Sequence, residues 1–292
     1  MTAAPAQQIP GLYHRKVGNF VVTAVSDGYI DGTLDLLKNV DIGQARRVLV
    51  DAFRPVRRIS INAFLVYAKG KTVLIDTGTG GSMGATNGWI GHNLAAAGID
   101  PKDIDAVLLT HMHPDHSAGL TDTLTGERKF PNAELVMHDA EPRFWLDDAA
   151  MARAADERGK AMFEHSRAQI APYKEAIRLF KDGEVFPGVT AVPIPGHTPG
   201  HCGYLVSSGT QQLLIWGDVV HVPEVQVALP DTGTVFDVDF EQARASRKRI
   251  LDQVATDKLL VAGMHLHFPA FYNLAREGSG YFLHPEAWLH AL

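Results

Sequence analysis

The sequence has 292 residues, with 46% hydrophobic and 21% charged side chains and a formal net charge of −6. This length and balance are typical of a globular protein with a sizeable core, and an acidic chain is a poor candidate for binding nucleic acid. The single cysteine, Cys202, excludes an internal disulfide. No apolar run is long enough to predict a membrane span. Residues 1–20 lack the apolar core of a signal peptide, so we expect a cytoplasmic protein.

In the first half of the chain, short apolar runs predict strands, and one stretch predicts a helix. The expected strands are residues 20–26, 62–68, 72–76 and 105–110. The second and third of these are joined by Lys69-Gly70-Lys71, which indicates a hairpin. Helical spacing of apolar residues predicts a helix over 88–97, followed by Gly98.

The second half repeats this organisation. Strands are expected at residues 189–194, 203–207, 212–218 and 258–263. A helix is expected over 239–255, with Asp239 and Gln242 in a capping box. Between the halves, the composition of residues 141–183 predicts two helices, broken near Ala171-Pro172. We therefore expect a single domain over residues 1–292 with a helical insertion at about 141–183, which either covers a pocket or packs only its own apolar residues.

The segment THMHPDHSAG, residues 110–119, concentrates candidate metal ligands. It places His111, His113, Asp115 and His116 directly after a predicted strand. Four ionisable groups this close would be costly to bury unpaired, whereas imidazole and carboxylate are ligands of zinc and other first-row metals. The pattern therefore predicts a metal-binding loop.

Of three further candidate ligands, His197 and His265 follow predicted strands, and Asp218 is the last residue of one. In α/β proteins, ligands bind outside the carboxyl ends of strands, so we expect all seven side chains to share one edge of the fold. Seven ligands are too many for one tetrahedral zinc ion and fit two divalent ions bridged by a carboxylate. Zn²⁺ is the expected metal, and manganese, cobalt and iron also accept these ligands.

The order of these motifs resembles that of the metallo-β-lactamase superfamily of dinuclear hydrolases. The sequence contains VLIDTG, H-x-H-x-D-H, GHTPGH, WGD and GMH in this order, and the resemblance covers about residues 20–284. It implies an α/β fold, an αββα sandwich of two mixed β-sheets flanked by helices.

The resemblance also implies a role for each matched residue. The first metal would be held by His111, His113 and His197. The second would be held by Asp115, His116 and His265. Asp218 would bridge the two ions, and Asp76, the aspartate of VLIDTG, would support the ligand loop.

Within the superfamily, the sequence is similar to methyl parathion hydrolase and the N-acyl homoserine lactonases in AVSDG, NAFLV and WGDVVHVPEVQ. Two ions about 3.5–4 Å apart can share a water and lower its pKa from about 15.7 to about 7, which yields a bridging hydroxide. Asp115 would relay the proton, and Asp218 would bridge the ions; Cys202 is expected to be a packed thiol rather than a nucleophile. We therefore expect a dinuclear hydrolase of lactones or aryl esters with phosphotriesterase activity.

The sequence also indicates candidate residues for the substrate pocket. The lactonases carry a tyrosine three residues after the bridging aspartate, and His221 occupies that place here, so it is a candidate to face the leaving group. Met83, Phe144, Trp145 and Phe268 are candidate apolar walls. Because no Arg or Lys adjoins a ligand motif, we expect a small neutral or apolar ester or lactone as substrate and poor activity on phosphate monoesters, which favour bidentate arginine.

Two other functions remain open at this point. A glyoxalase II-like thioesterase has a similar ligand set, although the C-terminal FLHPEAWLHAL lacks the basic residues expected to bind glutathione carboxylates. A metal-binding sensor without turnover would need the same ligands. The sequence predicts neither a nucleic-acid nor a membrane partner and is compatible with a homodimer.

Overall fold

The computed structural model describes residues 4–6, 8–54 and 56–292, which form two large β-sheets and eight α-helices. The strands are β1 (Leu12–Val17), β2 (Phe20–Gly32), β3 (Leu37–Lys38), β4 (Arg57–Ala68), β5 (Lys71–Ile75), β6 (Ala106–Leu108), β7 (Glu134–His138), β8 (Ile177–Phe180), β9 (Gly183–Phe186), β10 (Val189–Pro193), β11 (Cys202–Ser208), β12 (Gln211–Ile215), β13 (Gly233–Thr234), β14 (Leu260–Ala262), β15 (Phe271–Glu277) and β16 (Gly280–Pro285). The helices are α1 (Ile42–Asp51), α2 (Ile90–Ala96), α3 (Pro114–Ser117), α4 (Ala140–Trp145), α5 (Asp148–Ala152), α6 (Glu157–Ile170), α7 (Pro223–Ala228) and α8 (Phe240–Asp257). Short 3₁₀ helices lie at Pro101–Asp103, Ala118–Leu120 and Ala171–Ala176.

The two large sheets each contain seven strands. The first has the order β1-β2-β4-β5-β6-β7-β8, and the second has the order β16-β15-β14-β12-β11-β10-β9. Both mix antiparallel and parallel pairs; β5 to β8 run parallel in the first, and β12 runs parallel to β14 in the second. The predicted sandwich of two mixed sheets with flanking helices is confirmed.

Strand β4 shows how the first sheet is buried on both faces. Phe64 packs between the two sheets, where its ring centroid lies 6.0 Å from that of Phe271 in β15. The next residue, Leu65, belongs to the core on the opposite face, with Leu94 of α2 and Phe163 of α6. Successive strand residues point to opposite faces, so a strand covered on both sides is continuously apolar in sequence.

The predicted hairpin and two predicted helices are present as β4–β5, α2 and α8. The side chain of Asp239 accepts a hydrogen bond from the backbone N–H of Gln242 at 3.0 Å, which satisfies one free N–H group at the start of α8. Strand β2 is longer than predicted, because the register shifts near Gly28 and the strand continues beyond it. A Cβ at Gly28 would lie 2.1 Å from the carbonyl oxygen of Thr86, so this position requires glycine.

The predicted insertion, residues 141–183, is helical only as far as Ala176. It contains three α-helices instead of two, and β8 then adds to the edge of the first sheet, parallel to β7. The prediction was wrong in the number of helices and in the C-terminal boundary. Asp147 and Asp156 cap new helices by accepting hydrogen bonds from the backbone N–H groups of Ala149 and Gly159, and composition alone did not reveal these caps. Within the described ranges, none of the helices has the length and apolar character needed to cross a membrane.

Five strands bring the candidate ligands to one edge of the sandwich. Because β5 is parallel to β6 and β12 is parallel to β14, their carboxyl ends lie on the same side. The loops after β5, β6, β10, β12 and β14 carry, in that order, Asp76, the cluster at residues 111–116, His197, Asp218 and His265.

Candidate metal centre

A first group of three imidazoles converges from two loops. The Nδ1 atom of His113 lies 3.0 Å from Nε2 of His111 and 2.9 Å from Nε2 of His197, and all three side chains are buried. Burial and the neighbouring imidazoles hold the pKa of His111 and His113 well below the usual value. Neutral imidazole offers a lone pair, and the three nitrogens are close enough to share one metal ion.

A second group lies beside the first. The Oδ2 atom of Asp115 is 3.7 Å from Nε2 of His116 and 3.4 Å from Nε2 of His265. Both imidazoles are completely buried, whereas the side chain of Asp115 is 19% exposed. These three atoms also lie close enough together to hold a metal.

The carboxylate of Asp218 lies between the two groups. Its Oδ2 atom is 3.4 Å from Nε2 of His197 in the first group and 3.1 Å from Nε2 of His265 in the second, and its Oδ1 atom is 3.3 Å from Nε2 of His116. Burial alone would raise the pKa of this carboxyl, but the surrounding imidazoles hold it well below its usual range. Asp218 is therefore an ionised carboxylate that contacts both groups.

Two buried atoms of the candidate ligands have no hydrogen-bond partner among the described residues, Nε2 of His116 and Oδ1 of Asp218. Leaving a buried polar atom unsatisfied costs about 1–3 kcal/mol. A divalent cation would satisfy both atoms at once, and imidazole with carboxylate is a donor set that first-row metals accept. The residues present therefore fit a bound metal.

In four of the five ligand histidines, the second ring nitrogen is held by a neighbour. The Nδ1 atoms of His111, His116, His197 and His265 lie within hydrogen-bonding distance of Thr110 Oγ1 (3.0 Å), Asp76 Oδ2 (2.7 Å), Asp237 Oδ1 (2.9 Å) and the Ser60 carbonyl oxygen (3.0 Å), respectively. Such contacts fix the tautomer and the orientation of metal-binding imidazoles. The lone pairs that face the centre are therefore pre-oriented.

Asp76 connects two parts of the ligand loop. Its buried carboxylate accepts hydrogen bonds from the backbone N–H and the hydroxyl of Thr110, at 2.8 and 2.7 Å, and contacts Nδ1 of His116. Its backbone has a φ of +59°, a conformation that costs a non-glycine residue about 1–3 kcal/mol and persists only where the surroundings enforce it. The structure thus places Asp76 where a supporting residue is needed.

Asp237 orients His197 and was not predicted from the sequence. Besides its contact with Nδ1 of His197, it accepts a hydrogen bond from the backbone N–H of Thr234 at 2.9 Å and lies 3.8 Å from Arg247. Burial opposes protonation of His197, but Asp218 and Asp237 together raise its pKa to about 9. No motif relates Asp237 to His197, so only the folded chain reveals the pair.

Glu141 of α4 was also not predicted from the sequence, although it connects α4 to the ligand loops that follow β6 and β10. Its buried carboxylate accepts hydrogen bonds from the backbone N–H groups of Met112 (2.9 Å) and Gly200 (2.8 Å), from the indole N–H of Trp145 (2.9 Å) and from the hydroxyl of Thr198. Burial raises the pKa of this carboxyl, and the four donors oppose that shift.

The second histidine of GHTPGH, His201, supports Asp218 and was not assigned a role from sequence. Its Nδ1 atom lies 2.8 Å from the carbonyl oxygen of Ile194, and its Nε2 atom accepts a hydrogen bond from the backbone N–H of Asp218 at 2.9 Å. Burial lowers its pKa to about 3, so the ring is neutral and Nε2 can accept. Its place in the motif is a signal that could have found it.

His221, the residue predicted to face the leaving group, lies beside Asp218 and His265. Its Nε2 atom is 3.1 Å from Oδ2 of Asp218, and its ring stacks on that of His265 with centroids 5.3 Å apart. The side chain is buried, and its Nδ1 atom has no partner in the described parts of the chain.

A cavity of about 370 Å³ opens beside His113 and has mainly apolar walls. Two of the candidate wall residues, Phe144 and Trp145, line it together with Phe163 and other residues of α6. Met83 and Phe268 do not line this cavity; they are 42% and 36% exposed on other loops. The helical segment around α4–α6 thus forms a wall of the cavity next to the candidate ligands.

A second cavity, about 600 Å³, lies among residues of α1, α7, β15 and β16, and none of the candidate metal ligands lines it. The volume of a cavity therefore does not identify the catalytic site in this protein. The smaller cavity is the candidate substrate site, because it includes His113 and Asp237.

Comparisons with known proteins agree with this centre. The hydrolase AbOPH of the beta lactamase superfamily superimposes with a TM-score of 0.91 at 31% identity, covering 97% of this chain and 100% of that one. AidC, a dizinc quorum-quenching lactonase solved with a product, superimposes with a TM-score of 0.90 at 27% identity, covering 96% and 99%.

A probable metallo-hydrolase of Mycobacterium tuberculosis is 28% identical over 198 residues, which is 62% of this chain. The alignment spans only 60% of that relative's own length. The sequence profile of the Metallo-beta-lactamase superfamily matches residues 56–265. Because this profile covers more than half of the sequence, the chain belongs to the Metallo-beta-lactamase superfamily.

Proposed function

We propose that the protein is a dinuclear-metal hydrolase that acts on lactones and aryl esters. The proposal rests on one observation: Asp218 contacts two groups of candidate ligands at once, and an apolar cavity opens next to the first group. The similarity to AidC, a lactonase, supports a lactone as substrate.

The two groups would hold the metals on either side of Asp218. When bound, the ions would supply an activated water at neutral pH and polarise the carbonyl oxygen of the ester, which makes its carbon easier to attack. Asp115 is the most exposed of the seven candidate ligands, so its carboxylate is the one placed to accept the proton of the attacking water. His221 would contact the leaving group from the side of Asp218.

The cavity supports an apolar acyl group. The rings of Phe144, Trp145 and Phe163 pack against one another, with centroids 4.8–5.1 Å apart, and such a cluster forms a rigid wall. Each methylene group buried against it would contribute about 0.8 kcal/mol. We therefore expect kcat/KM to rise with acyl chain length until the cavity is filled.

Phosphotriester hydrolysis is a second activity that the same cavity favours. An uncharged triester can be accommodated by apolar walls, and the activated water can attack phosphorus as well as carbon. Zinc is the metal we propose first, with manganese, cobalt and iron as alternatives, because the donor set accepts all four.

The experiment combines metal analysis with a substrate panel. Protein purified without chelator should contain about two equivalents of transition metal and should cleave a γ-lactone, 4-nitrophenyl hexanoate and, more slowly, paraoxon. EDTA should abolish these activities, and added zinc or manganese should restore them.

The outcomes separate the alternatives. A reproducible metal content near one equivalent, unchanged by added zinc, would contradict the dinuclear centre. Cleavage of S-lactoylglutathione alone would identify a thioesterase. Tight metal binding without turnover of any substrate in the panel would indicate a sensor.

A further inference from the structure

Arg158 lies at the edge of the cavity beside the metal centre. It belongs to the first turn of α6, and its guanidinium carbon lies 4.8 Å from the centroid of the Phe236 ring. Both residues line the cavity. A guanidinium over an aromatic face is held by a cation–π interaction, so this charge has a defined position on the cavity wall even though the residue is exposed.

The guanidinium of Arg158 makes no hydrogen bond or ion pair with any described residue, and Arg158 is the one Arg or Lys among the described residues that line the cavity. Two carboxylates share the lining, but other groups engage both. Asp156 accepts a hydrogen bond from the backbone N–H of Gly159 at 2.8 Å, and Asp237 contacts His197 and Arg247. The N–H donors of Arg158 are thus available to a bound molecule.

Arginine presents its donors in a planar fork that matches a carboxylate, and the resulting hydrogen bonds are about twice as strong as those between neutral groups. The reacting bond must lie near Asp218, whereas Arg158 stands on the helical wall formed by α6. A substrate that reached both would carry its carboxylate on the part of the molecule remote from the bond that is cleaved.

Resting on the hydrolase function proposed above, we infer that Arg158 selects substrates whose acyl chain carries a carboxylate remote from the scissile ester. A preference for carboxylate-bearing substrates differs from the neutral substrates expected from the sequence. That expectation was based only on the residues that adjoin the ligand motifs. Arg158 is distant from those motifs in sequence, and the folding of α6 over the cavity brings it close.

The test uses two aryl esters that differ only in the terminal group. Mono-4-nitrophenyl adipate and 4-nitrophenyl hexanoate have the same leaving group and the same chain length, and only the adipate ester ends in a carboxylate. The variants are Arg158→Gln, Arg158→Lys and, as a matched control, Arg153→Gln, because Arg153 is exposed and does not line the cavity. Each is compared as metal-loaded protein.

The measured quantity is kcat/KM for the adipate ester divided by kcat/KM for the hexanoate ester. We expect Arg158→Gln to lower this ratio about tenfold, equivalent to about 1.4 kcal/mol, mainly through KM of the adipate ester. Arg158→Lys should retain part of the preference, and Arg153→Gln should retain all of it. Added salt should lower the ratio of the unmodified protein, because the contact is partly exposed to solvent.

Two results would overturn the inference while leaving the hydrolase function intact. One is an unchanged ratio in Arg158→Gln. The other is an equal loss on both esters, which would show that Arg158 only holds α6 against Phe236. If the unmodified, metal-loaded protein cleaved neither ester nor a lactone, the proposed function itself would fail, and this inference with it.

Discussion

Replacement of Glu141 by glutamine tests how the ligand loops are held. The change preserves the shape of the side chain and converts one carboxylate oxygen into an NH₂ group. In the structure, Oε1 accepts from Thr198 and Gly200, and Oε2 accepts from Met112 and Trp145. Whichever way the amide is oriented, its NH₂ group therefore faces two hydrogen-bond donors.

The expected loss follows from these contacts. Two hydrogen bonds to a charged acceptor are removed, and each contributes about 1.5–3 kcal/mol. The neutral amide avoids the cost of burying a charge, which offsets part of this loss. We therefore expect Glu141→Gln to lower the free energy of unfolding by about 3 kcal/mol, near the lower limit for two such bonds.

The control is Trp145→Phe, which keeps an aromatic ring and removes one of the four donors. It should cost about 1.5 kcal/mol, near the lower limit for one such bond, because one bond is lost and the carboxylate stays. Both variants are unfolded with guanidinium at mildly alkaline pH after chelation, so that bound metal does not contribute to stability. Metal affinity of Glu141→Gln should also fall by roughly 10–100-fold, as is typical when contacts that orient ligands are lost.

A stability loss below about 1 kcal/mol in Glu141→Gln would refute this reasoning. It would mean that the buried side chain already behaves as a neutral group, or that the four donors find other acceptors. An equal loss in both variants would likewise show that the carboxylate contributes nothing beyond its bond to Trp145.

Three further predictions concern the centre and its surroundings. Asp218→Ala should lose activity and at least one equivalent of metal because Asp218 contacts both ligand groups, whereas the exposed Asp252→Ala should keep both; elemental analysis and ester hydrolysis measure this. His221→Ala should change the ratio of kcat/KM for lactone and phosphotriester severalfold with metal content unchanged, and equal effects on both substrates would mean that it only supports its loop. Cys202 is buried and its pKa is raised by burial, so Ellman's reagent should detect no thiol in the folded protein and one after unfolding; rapid reaction of the native protein would contradict its packed position.

The sequence by itself determined much of the fold and of the metal centre. The apolar runs of β4, β5 and β12 are long enough to predict strands. The candidate ligands lie close to the carboxyl ends of strands in the chain. The spacing of residues 111–116 indicates a ligand loop for the same local reason, since a turn at Pro114 starts α3 and brings Asp115 and His116 close together. Features that depend on near neighbours in sequence were therefore predictable.

Helix number within the insertion was less predictable. The residues of α4, α5 and α6 are similar in composition, and the breaks between these helices depend on single capping side chains, Asp147 and Asp156. The helical part of the insertion ends where the chain forms β8, which pairs with the edge of β7. Strand pairing of this kind is a long-range contact that composition does not encode.

Only the tertiary structure decided which residues support and surround the centre. Asp237 approaches His197 and Glu141 joins two ligand loops through contacts between segments far apart in the chain, while Phe268, a predicted wall residue, lies elsewhere. Arg158 reaches the cavity because α6 packs beside α4. The physical reason is that the strand directions place the ligand-bearing loops at one edge of the sandwich. The orientation of the ligand side chains, the shape of the cavity and the charge on its wall depend on how distant segments, above all the helices, pack over that edge.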